Sequence, residues 1–505
     1  MSIERKMYSA YGEWRESKTD KWMPVTDSST GEVIAEVPCC TGAEVNEAIA
    51  SAYAAFPEWS QTSLSKRTQL MFQWRNVLMD HLEELAVLCS QELGKNLDEA
   101  RGDVLKAIEP TEAACSLPFI SQGYGSLQVT NGFDTFSYRM PLGVVAGICP
   151  FNFPAMIPFG WIAPLCIATG NTLVLKAASF TPLTAMRMMD LFINEAGFPK
   201  GVINLVTCSR RESEFFLTDP RIRAITFVGS TEVGKHIYSV AAAHGKRVQA
   251  QTEAKNHALV LEDCDLESTV SAVVNSTYGC AGMRCMALPV VAVQESIADQ
   301  FVAMLKEKAM KLKIGRSYDP ETQLGPLVNA EHKQFVCNWI QKGVDEGAKL
   351  ILDGRGLVVP GLENGFFVGP TIFDHVTPEM TVGNKEIFGP VTIVKRVKDF
   401  EEGIALMNAS EYANGSVIFT QSGYYARQFE FLTDGGMVGI NVGIPVPSAY
   451  FPFSGNKESF FGDQHVLGID GLRFYTRAKT VTKHWFDEES RKKKVGTWEG
   501  TVERI

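Results

Sequence analysis

Residues 140–176 read MPLGVVAGICPFNFPAMIPFGWIAPLCIATGNTLVLK, and the stretch holds no charged residue before Lys176. A helix that spans a membrane needs about 20 consecutive, mostly apolar residues. Prolines interrupt this stretch repeatedly, and each removes a hydrogen bond from a helix interior. They stand at positions 141, 150, 154, 158 and 164. The pattern therefore predicts a buried strand, a helix and a second buried strand rather than a membrane span.

Outward from this stretch, short β-branched runs alternate with helical segments. The runs are typical of buried parallel strands and lie at Gly143–Ile148, Thr172–Lys176, Val202–Thr207 and Ile222–Val228. A helix is predicted over Thr181–Ala196, because a Thr-Pro pair suits its start and Gly197 its end. This alternation predicts a doubly wound α/β sheet of Rossmann type, with its ligand at the carboxyl ends of the strands.

A second α/β series follows without a linker rich in proline, glycine or serine, so a second domain is expected to pack directly on the first. Its predicted strands are Ala258–Leu261, Pro289–Gln294, Phe366–Ile372, Val391–Val397 and Gly415–Thr420, and its predicted helices are Leu266–Gly279 and Ser296–Lys313. Two other segments, Gly125–Arg139 and Leu472–Thr482, alternate apolar with polar residues. They predict an antiparallel arm that suits subunit contacts.

The bulk composition narrows the class of protein. A chain of 505 residues predicts two or three domains, and 45% hydrophobic with 21% charged residues is ordinary for a globular protein. The net charge of -10 argues against a nucleic-acid partner, and the basic run Arg491–Lys494 is interpreted as part of a solvated tail. The 11 cysteines lack metal-binding spacing and suit a reducing compartment. The N-terminus has no apolar signal segment, so the cytoplasm is the expected location.

One glycine-rich turn offers a nucleophile. Residues 279–285 read GCAGMRC after a predicted helix, which leaves Cys285 beside Arg284. A nearby cation favours the thiolate, the reactive form of cysteine. A lone cysteine is more often a small buried apolar residue, so this turn by itself is weak evidence.

Two further turns follow predicted strands at the ligand edge of the sheet. In PFNFP (150–154), Asn152 lies between two aromatic residues, where its amide suits a developing oxyanion. The alternative is an ordinary turn asparagine. In FVGSTEVG (227–234), Ser230 and the free N–H groups of the next helix suit a phosphate, although this turn is not the more specific GxGxxG fingerprint.

Together these motifs resemble the aldehyde dehydrogenase superfamily along nearly the whole chain. The matching pieces are PFNFP (150–154), FVGSTEVG (227–234), AKNH (254–257), GMRCMAL (282–288), EIFGP (386–390) and PFSGNKESFFG (452–462). AKNH, RCMA and SFFG are most similar to its coenzyme A-acylating branch, the methylmalonate-semialdehyde (malonate-semialdehyde) dehydrogenases.

The resemblance implies an aldehyde dehydrogenase-like α/β fold in three parts. A Rossmann-type dinucleotide-binding domain is expected from residues 1–124 and 142–254, a second α/β catalytic domain from 255–446, and a small β oligomerisation arm from 125–141 and 470–486. Residues 447–469 are expected to return to the dinucleotide domain, and 487–505 to form a tail. The implied assembly is a homodimer or homotetramer, with no membrane partner.

The resemblance also implies roles for individual residues. Cys285 would attack a small aldehyde and Asn152 would hold the oxyanion, so that hydride transfer to NAD or NADP leaves a thioester on the cysteine. The residues expected to bind the dinucleotide are Cys149, Phe151, Lys176, Ser179, Phe180, Arg210, Gly229, Ser230, Thr252, Glu386 and Phe388. Those expected near the substrate are Lys106, Arg284 and Phe453, and no metal is expected.

Three positions depart from the family pattern in the reacting region. Gln251 stands where hydrolytic members carry a glutamate, and an amide cannot act as a general base. Glu253 replaces a usual glycine and remains an alternative base. Lys106 stands for an arginine of the acylating branch, so a point charge replaces a bidentate fork for a substrate carboxylate.

The choice of cofactor is left open by a fourth position. The family's Lys-Pro-Ser-Glu is here Lys176-Ala-Ala-Ser179, without the glutamate that grips the ribose and repels a 2′-phosphate. Lys176, Arg210 or Arg211 could pair with that phosphate, so NADP stands beside NAD.

These residues predict oxidation of malonate or methylmalonate semialdehyde, or of a related short-chain semialdehyde, to an acyl-coenzyme A. A β-carboxylated product can also lose carbon dioxide. Two alternatives stay open. One is hydrolytic aldehyde oxidation without coenzyme A, with Glu253 as base. The other is a catalytically silent structural protein that keeps the fold, as lens crystallins derived from this superfamily do.

Overall fold

The structure, a computed structural model, describes residues 3–130, 132–485 and 488. In chain order the strands are β1 (Glu4–Arg5), β2 (Tyr8–Ala10), β3 (Glu13–Arg15), β4 (Trp22–Thr26), β5 (Val33–Pro38), β6 (Tyr124–Thr130), β7 (Phe133–Pro141), β8 (Val144–Ile148), β9 (Thr172–Lys176), β10 (Ile203–Val206), β11 (Ile222–Val228), β12 (Arg247–Gln251), β13 (His257–Val260), β14 (Val290–Gln294), β15 (Lys349–Leu352), β16 (Thr371–Asp374), β17 (Val391–Val397), β18 (Tyr412–Ala413), β19 (Gly415–Phe419), β20 (Met437–Ile440), β21 (Asn456–Lys457), β22 (Phe460–Gly462) and β23 (Thr476–His484).

The α-helices connect and cover these strands. They are α1 (Gly42–Gln61), α2 (Leu64–Asp80), α3 (Leu82–Leu93), α4 (Leu97–Cys115), α5 (Leu117–Ile120), α6 (Ala163–Ala168), α7 (Leu183–Asn194), α8 (Arg210–Thr218), α9 (Thr231–Ala243), α10 (Leu266–Tyr278), α11 (Glu295–Met310), α12 (Ala330–Asp345), α13 (Phe400–Asn408), α14 (Gly423–Leu432) and α15 (Gly468–Tyr475).

The first large sheet determines where a ligand can bind. Its strands lie in the order β22-β12-β11-β8-β9-β10-β2-β3, and those from β12 to β10 run parallel. The chain moves outward from β8 through β9 to β10, then returns to build β11 and β12 on the other side. The carboxyl ends of β8 and β11 therefore meet at a topological switch point, where open α/β sheets bind their ligands.

The second large sheet has the order β15-β16-β17-β14-β13-β19-β20 and is parallel except for the edge strand β15. Apolar side chains on one face pack against α10 and α11, and those on the other face pack against α13 and α14. Coverage on both faces explains why its central strands are continuous apolar runs.

The smaller parts follow the expected order along the chain. Strands β23, β7 and β6 form a three-stranded antiparallel sheet from the segments expected to build the arm. Strand β22, from the expected return segment, pairs with β12. The division into domains at the stated residues stays a prediction. The expected tail 487–505, with its basic run, lies outside the described residues apart from Glu488.

Most strands predicted from β-branched runs are present. The predictions for β9, β11 and β17 agree residue for residue, and the uncharged stretch forms β8, a π-helical turn at Ile157–Ile162 that continues into α6, and β9. Within the described ranges, no helix combines the length and the apolar character that crossing a membrane requires.

Two predicted segments are wrong in part. The strand predicted at Phe366–Ile372 is confined to β16, because the Phe366 and Gly369 N–H groups donate to loop carbonyl oxygens of Ser28 and Gly354 instead. The segment Leu472–Thr482 begins in α15 and becomes a strand only at Thr476.

The start of α7 also differs from the prediction. Thr181 does not cap the helix, because its hydroxyl donates to the carbonyl oxygen of Phe151 at 2.6 Å. The buried carboxylate of Glu92 caps the helix instead and accepts from the N–H groups of Leu183 and Thr184 at 2.7 and 2.9 Å. The threonine therefore ties the PFNFP loop to the neighbouring strand connection.

Candidate active site

A cleft of about 550 Å³ opens at the switch point of the first sheet. Small-molecule sites in proteins span roughly 300–1,000 Å³, so the size suits an extended ligand. The cleft is lined by all the residues expected to bind the dinucleotide: Cys149, Phe151, Lys176, Ser179, Phe180, Arg210, Gly229, Ser230, Thr252, Glu386 and Phe388. Asn152, Glu253 and Cys285 line it as well. The fold thus brings together candidates that are far apart in the chain.

The turn that carries Cys285 is a sharp one. After α10 the backbone passes through positive φ values of 51° at Cys280 and 78° at Gly282. A Cβ on Gly282 would lie 2.1 Å from the carbonyl oxygen of Gly389, so only glycine permits this contact with the EIFGP loop. The close contact fixes the turn against the wall of the cleft.

Two asparagine amides hold the peptide group that follows Cys285. Asn256, from the AKNH motif, and Asn414 donate to the carbonyl oxygen of Cys285 at 2.9 and 3.1 Å. Asn256 also accepts the Gly415 N–H at 2.8 Å, which ties the turn to the second sheet. With its carbonyl oxygen held in this way, the position of Cys285 depends on the second sheet.

Burial dominates the charge state of the Cys285 thiol. The Arg284 guanidinium pairs with Glu99 at 2.8 Å, and the pKa of the Cys285 thiol is raised rather than lowered, so the expectation of a favoured thiolate is wrong. Burial raises the pKa of the thiol to about 12, Glu386 adds to the rise, and Lys95 opposes it. The group is therefore a thiol at neutral pH and must lose its proton before it attacks.

Asn152 lies against the same turn. Its Nδ2 donates to the carbonyl oxygen of Met283 at 3.0 Å, and the side chain is 4% exposed. An amide has two N–H donors, so a second remains for another acceptor. Asn152 can therefore brace the turn and also donate toward an oxygen on a carbon bound to Cys285. The oxyanion role itself stays a prediction.

A buried ion pair supports the PFNFP loop from behind. Lys95 Nζ lies 2.9 Å from Asp103, with both side chains buried, and Asp103 also accepts the Met156 N–H at 2.8 Å. The Lys95 ammonium lies 3.4 Å from the centre of the Phe153 ring. Removing one member of such a pair leaves a buried, uncompensated charge, so the pair holds the loop in one position.

Helix α9 presents its N-terminus to the cleft, as the FVGSTEVG turn predicts. Ser230 is the N-cap residue, but its hydroxyl makes no capping bond. The Thr231 N–H donates instead to Glu253 Oε2 at 3.1 Å. A carboxylate of the chain itself therefore engages a group that was expected to bind phosphate.

Glu386 is a second acid in the cleft. Its Oε1 accepts the Ala254 N–H at 3.1 Å. Burial, together with the nearby Glu253, raises the pKa of the Glu386 carboxyl to about 8. At neutral pH most of this carboxyl is protonated, so it can donate a hydrogen bond as well as accept one.

Aromatic rings form one wall of the cleft. The Phe151 ring meets Phe180, His332 and Phe388 edge-on, with ring centres 6.3, 5.8 and 5.8 Å away. His332 Nε2 lies 2.7 Å from the carbonyl oxygen of Phe388, whose φ is 58°. His332 was not anticipated, because it lies in the amphipathic helix α12 and belongs to no motif.

Two further residues line the cleft that no sequence motif indicated. Glu214 and His236 line the cleft and lie 2.7 Å apart. They stand on α8 and α9, where charged residues are ordinary on a solvated face, so no signal marked them. Arg211 pairs with Glu212 at 2.7 Å and does not line the cleft. Of the three cations expected to meet a 2′-phosphate, Lys176 and Arg210 line it.

Gln251 lies beside the cleft rather than on its wall. It is 3% exposed at the end of β12, and neither its Oε1 nor its Nε2 has a hydrogen-bond partner among the described residues. An unpaired buried amide costs roughly 1–3 kcal/mol. The fold therefore accommodates glutamine at this position although its amide has no hydrogen-bond partner among the described residues.

The residues expected near the substrate are engaged elsewhere. Lys106 pairs with Glu109 at 2.5 Å, and Phe453 is buried against Trp161 with ring centres 4.5 Å apart. Like Arg284, neither lines the cleft, so a substrate contact stays a prediction for all three. Over residues 3–130, 132–485 and 488, no group of three or more histidine, cysteine, aspartate or glutamate side chains could hold a metal ion.

Comparisons with known proteins agree with this geometry. A malonate-semialdehyde dehydrogenase of Oceanobacillus iheyensis is 46% identical over 488 residues, which cover 96% of this chain and 100% of that protein. A malonate-semialdehyde dehydrogenase of Bacillus cereus is 45% identical over 484 residues, which cover 96% and 99%.

Solved structures show the same fold. A methylmalonate-semialdehyde dehydrogenase from Oceanimonas doudoroffii has a TM-score of 0.94 at 40% identity, covering 97% of this chain and 100% of that one. A protein from Sinorhizobium meliloti 1021 in complex with NAD has a TM-score of 0.94 at 37% identity, covering 96% and 99%.

The family model for the aldehyde dehydrogenase family matches residues 14–481. The resemblance drawn from the motifs and the expected α/β fold are therefore confirmed. Matched over almost its whole length in sequence and in fold, the chain belongs to the aldehyde dehydrogenase family.

Proposed function

We propose that the chain oxidises a short-chain semialdehyde of the malonate or methylmalonate type to an acyl-coenzyme A, through a thioester on Cys285 and with NAD or NADP. A substrate with a carboxylate β to the aldehyde carbon also loses carbon dioxide. The observation that carries the proposal is the meeting of Cys285 and Asn152 in the cleft that contains every expected dinucleotide contact. The names of the similar proteins support the substrate class.

The residues present suit a dinucleotide. Leu217, Val233 and Ile237 offer an apolar surface, Lys176 and Arg210 offer cations, and the N-terminus of α9 suits phosphate. When bound, the nicotinamide would supply the acceptor for the hydride that leaves the aldehyde carbon.

The chain itself holds and activates the aldehyde. The Cys285 thiol passes its proton to solvent in the cleft, and its sulfur forms a bond to the aldehyde carbon as the carbonyl π bond opens, so that the aldehyde oxygen becomes an oxyanion. The free N–H of the Asn152 amide and the Cys285 backbone N–H donate to that oxygen. Donors that are already in place stabilise this charge without the cost of reorienting water.

The acyl acceptor follows from Gln251. Water needs a base to attack a thioester, and an amide cannot take its proton. The coenzyme A thiol has a pKa near 8.5, so about a tenth of it is thiolate at pH 7.5 and attacks without a protein base. Coenzyme A is therefore the expected co-substrate.

Steady-state formation of NAD(P)H should depend strongly on coenzyme A. Without it we expect a burst of about one equivalent per subunit. Gln251→Glu should raise the coenzyme A-independent rate by at least about tenfold, because a carboxyl buried at this position gains a raised pKa and can serve as base. Stopped-flow absorbance of the reduced nicotinamide measures both.

Hydrolytic oxidation remains the second candidate, because Glu253 shares the cleft with Cys285. It predicts that wild-type turnover ignores coenzyme A and collapses in Glu253→Gln. That pair of results would replace coenzyme A by water as the acceptor. The burst, with slow turnover in both proteins until coenzyme A is added, supports the acylating reaction.

Cofactor preference provides a further prediction. Ser179→Glu should shift the ratio of kcat/KM toward NAD by at least tenfold, about 1.4 kcal/mol, because a carboxylate repels the 2′-phosphate of NADP. Arg210→Gln should weaken NADP selectively. Arg211→Gln is the matched control, since Arg211 is paired with Glu212 outside the cleft. Absence of NADP turnover in the wild type, together with an unchanged Ser179→Glu variant, would contradict this interpretation.

Assembly and location stay expectations. The outer strand of the arm exposes Tyr124, Leu127 and Val129, which suits burial in a homodimer or homotetramer. All 11 cysteines are free thiols, as expected in the cytoplasm.

A further inference from the structure

Glu253 occupies a position that the rest of the site does not explain. It lines the cleft with Cys285 and Glu386, yet its Oε2 accepts the Thr231 N–H at 3.1 Å rather than any group near the sulfur. Thr231 is the first residue of α9. The hydroxyl of the N-cap residue, Ser230, makes no capping hydrogen bond at this end of the helix. The carboxylate therefore does what a bound anion does at a helix N-terminus.

The N-terminus of α9 is also where the N–H groups suit a dinucleotide phosphate. Gly229, Ser230 and Thr252 line the cleft around this end of α9, and the strand-to-helix turn lets a phosphate approach the backbone. A phosphate and the Glu253 carboxylate are both anions, so the two cannot share one donor at close range without repulsion.

A second acid limits where the carboxylate can move. Glu386 lies close enough that Glu253 raises the pKa of its carboxyl, and its Oε1 is held by the Ala254 N–H at 3.1 Å. A Glu253 side chain displaced from α9 therefore moves into a cleft that already contains an acid. Its resting position at Thr231 is the one where it meets a hydrogen-bond donor and the positive end of a helix dipole.

We propose that Glu253 is an internal competitor of the dinucleotide phosphate: its carboxylate holds the Thr231 N–H until a phosphate displaces it, and it takes the N–H back as the dinucleotide leaves. This inference rests on the proposed function of the cleft as a dinucleotide site. Its consequence is a dinucleotide that binds more weakly and leaves faster than the rest of the cleft would allow.

Binding measurements on the full-length protein test this directly. Glu253→Gln and Glu253→Gly should each lower the Kd of NADH about tenfold, the effect of one charge-assisted hydrogen bond freed for the ligand. The dissociation rate of NADH should fall by a similar factor. Adenosine, which has no phosphate, should bind all three proteins equally, whereas ADP-ribose should follow NADH.

The matched control is Glu232→Gln. Glu232 is an exposed acid in the same first turn of α9, so the variant removes the same charge without freeing the Thr231 N–H. Its Kd for NADH should stay within about twofold of the wild type. A purely structural cap at Glu253 predicts instead a lower melting temperature in both Glu253 variants with no gain in affinity.

Binding by the wild-type protein distinguishes a failure of the proposed function from a failure of the inference about Glu253. Wild-type protein that binds neither NADH nor ADP-ribose contradicts the proposed function of the cleft and this inference with it. Wild-type protein that binds both, with Glu253 variants whose affinity is unchanged or weaker, overturns the inference alone. An equal gain in affinity in Glu232→Gln also overturns it, because the effect is then one of net charge.

Discussion

Cys285→Ala is expected to abolish aldehyde oxidation while leaving dinucleotide binding intact. Covalent catalysis through the thioester contributes more than a hundredfold, so residual turnover should stay below about one per cent. The Cys285 side chain is small. The turn is held by the Asn256 and Asn414 amides on the Cys285 carbonyl oxygen and by the close contact at Gly282, so alanine should not disturb the fold. NAD(P)H formation and the Kd of NADH, measured on the same preparation, separate the two effects.

Cys280→Ala is the matched control for this prediction. Cys280 lies in the same turn, but its side chain is only 2% exposed in the core beneath the turn and does not line the cleft. We expect near wild-type turnover from this variant. Turnover above one per cent in Cys285→Ala that disappears when Cys280 is also removed would show that Cys280, not Cys285, is the nucleophile.

Asn152→Ala is expected to lower kcat by about 10²–10³, as the loss of a preorganised oxyanion donor does. The affinity for the nucleotide should hardly change. The structure adds a second consequence, because the variant also leaves the buried Met283 carbonyl without its Nδ2 donor. The turn itself could therefore shift, and the measurement has to separate a displaced nucleophile from a lost donor.

Alkylation of Cys285 makes that separation. The rate of its reaction with iodoacetamide, without aldehyde, reports the position and exposure of the sulfur but involves no oxyanion. An unchanged alkylation rate with a 10²–10³ loss of kcat supports the donor role. A loss of kcat of tenfold or less, or a loss matched by slower alkylation, would make Asn152 a turn residue.

Much of the fold was predictable because its sheets are buried on both faces. Continuous β-branched runs then mark strands directly, and β9, β11 and β17 were located to the residue. The strand predicted at Phe366–Ile372 was wrong in part. This segment is as apolar as a buried strand, but its first N–H groups donate to carbonyl oxygens of distant loops. Local pattern carries no information about such partners.

In the site, too, some features were predictable from the sequence and others were not. Cys285 and Asn152 were recognisable because their motifs resemble those of the family, and the switch point brings them together. Charges were predicted less well. Arg284 is adjacent to Cys285 in sequence, yet its partner is Glu99, which stands on helix α4, far away in the chain. Such pairings depend on packing between elements distant in the chain.

The hydrogen bond between Glu253 and Thr231 also could not be predicted from the sequence. The departure at Glu253 was visible and suggested a base, but its hydrogen bond depends on how β12 and α9 lie beside each other. The pair formed by Glu214 and His236 depends in the same way on the packing of α8 against α9.

The proposed reaction requires that oxidation leaves an acyl group on Cys285 and that coenzyme A removes it. Intact-protein and peptide mass spectrometry of the enzyme, quenched after mixing with semialdehyde and NAD but no coenzyme A, tests it most directly. We expect one acyl group per subunit on the peptide that contains Cys285, stable over many turnover times and transferred to coenzyme A on its addition. An unmodified Cys285, or an acyl group lost equally fast with and without coenzyme A, would contradict it.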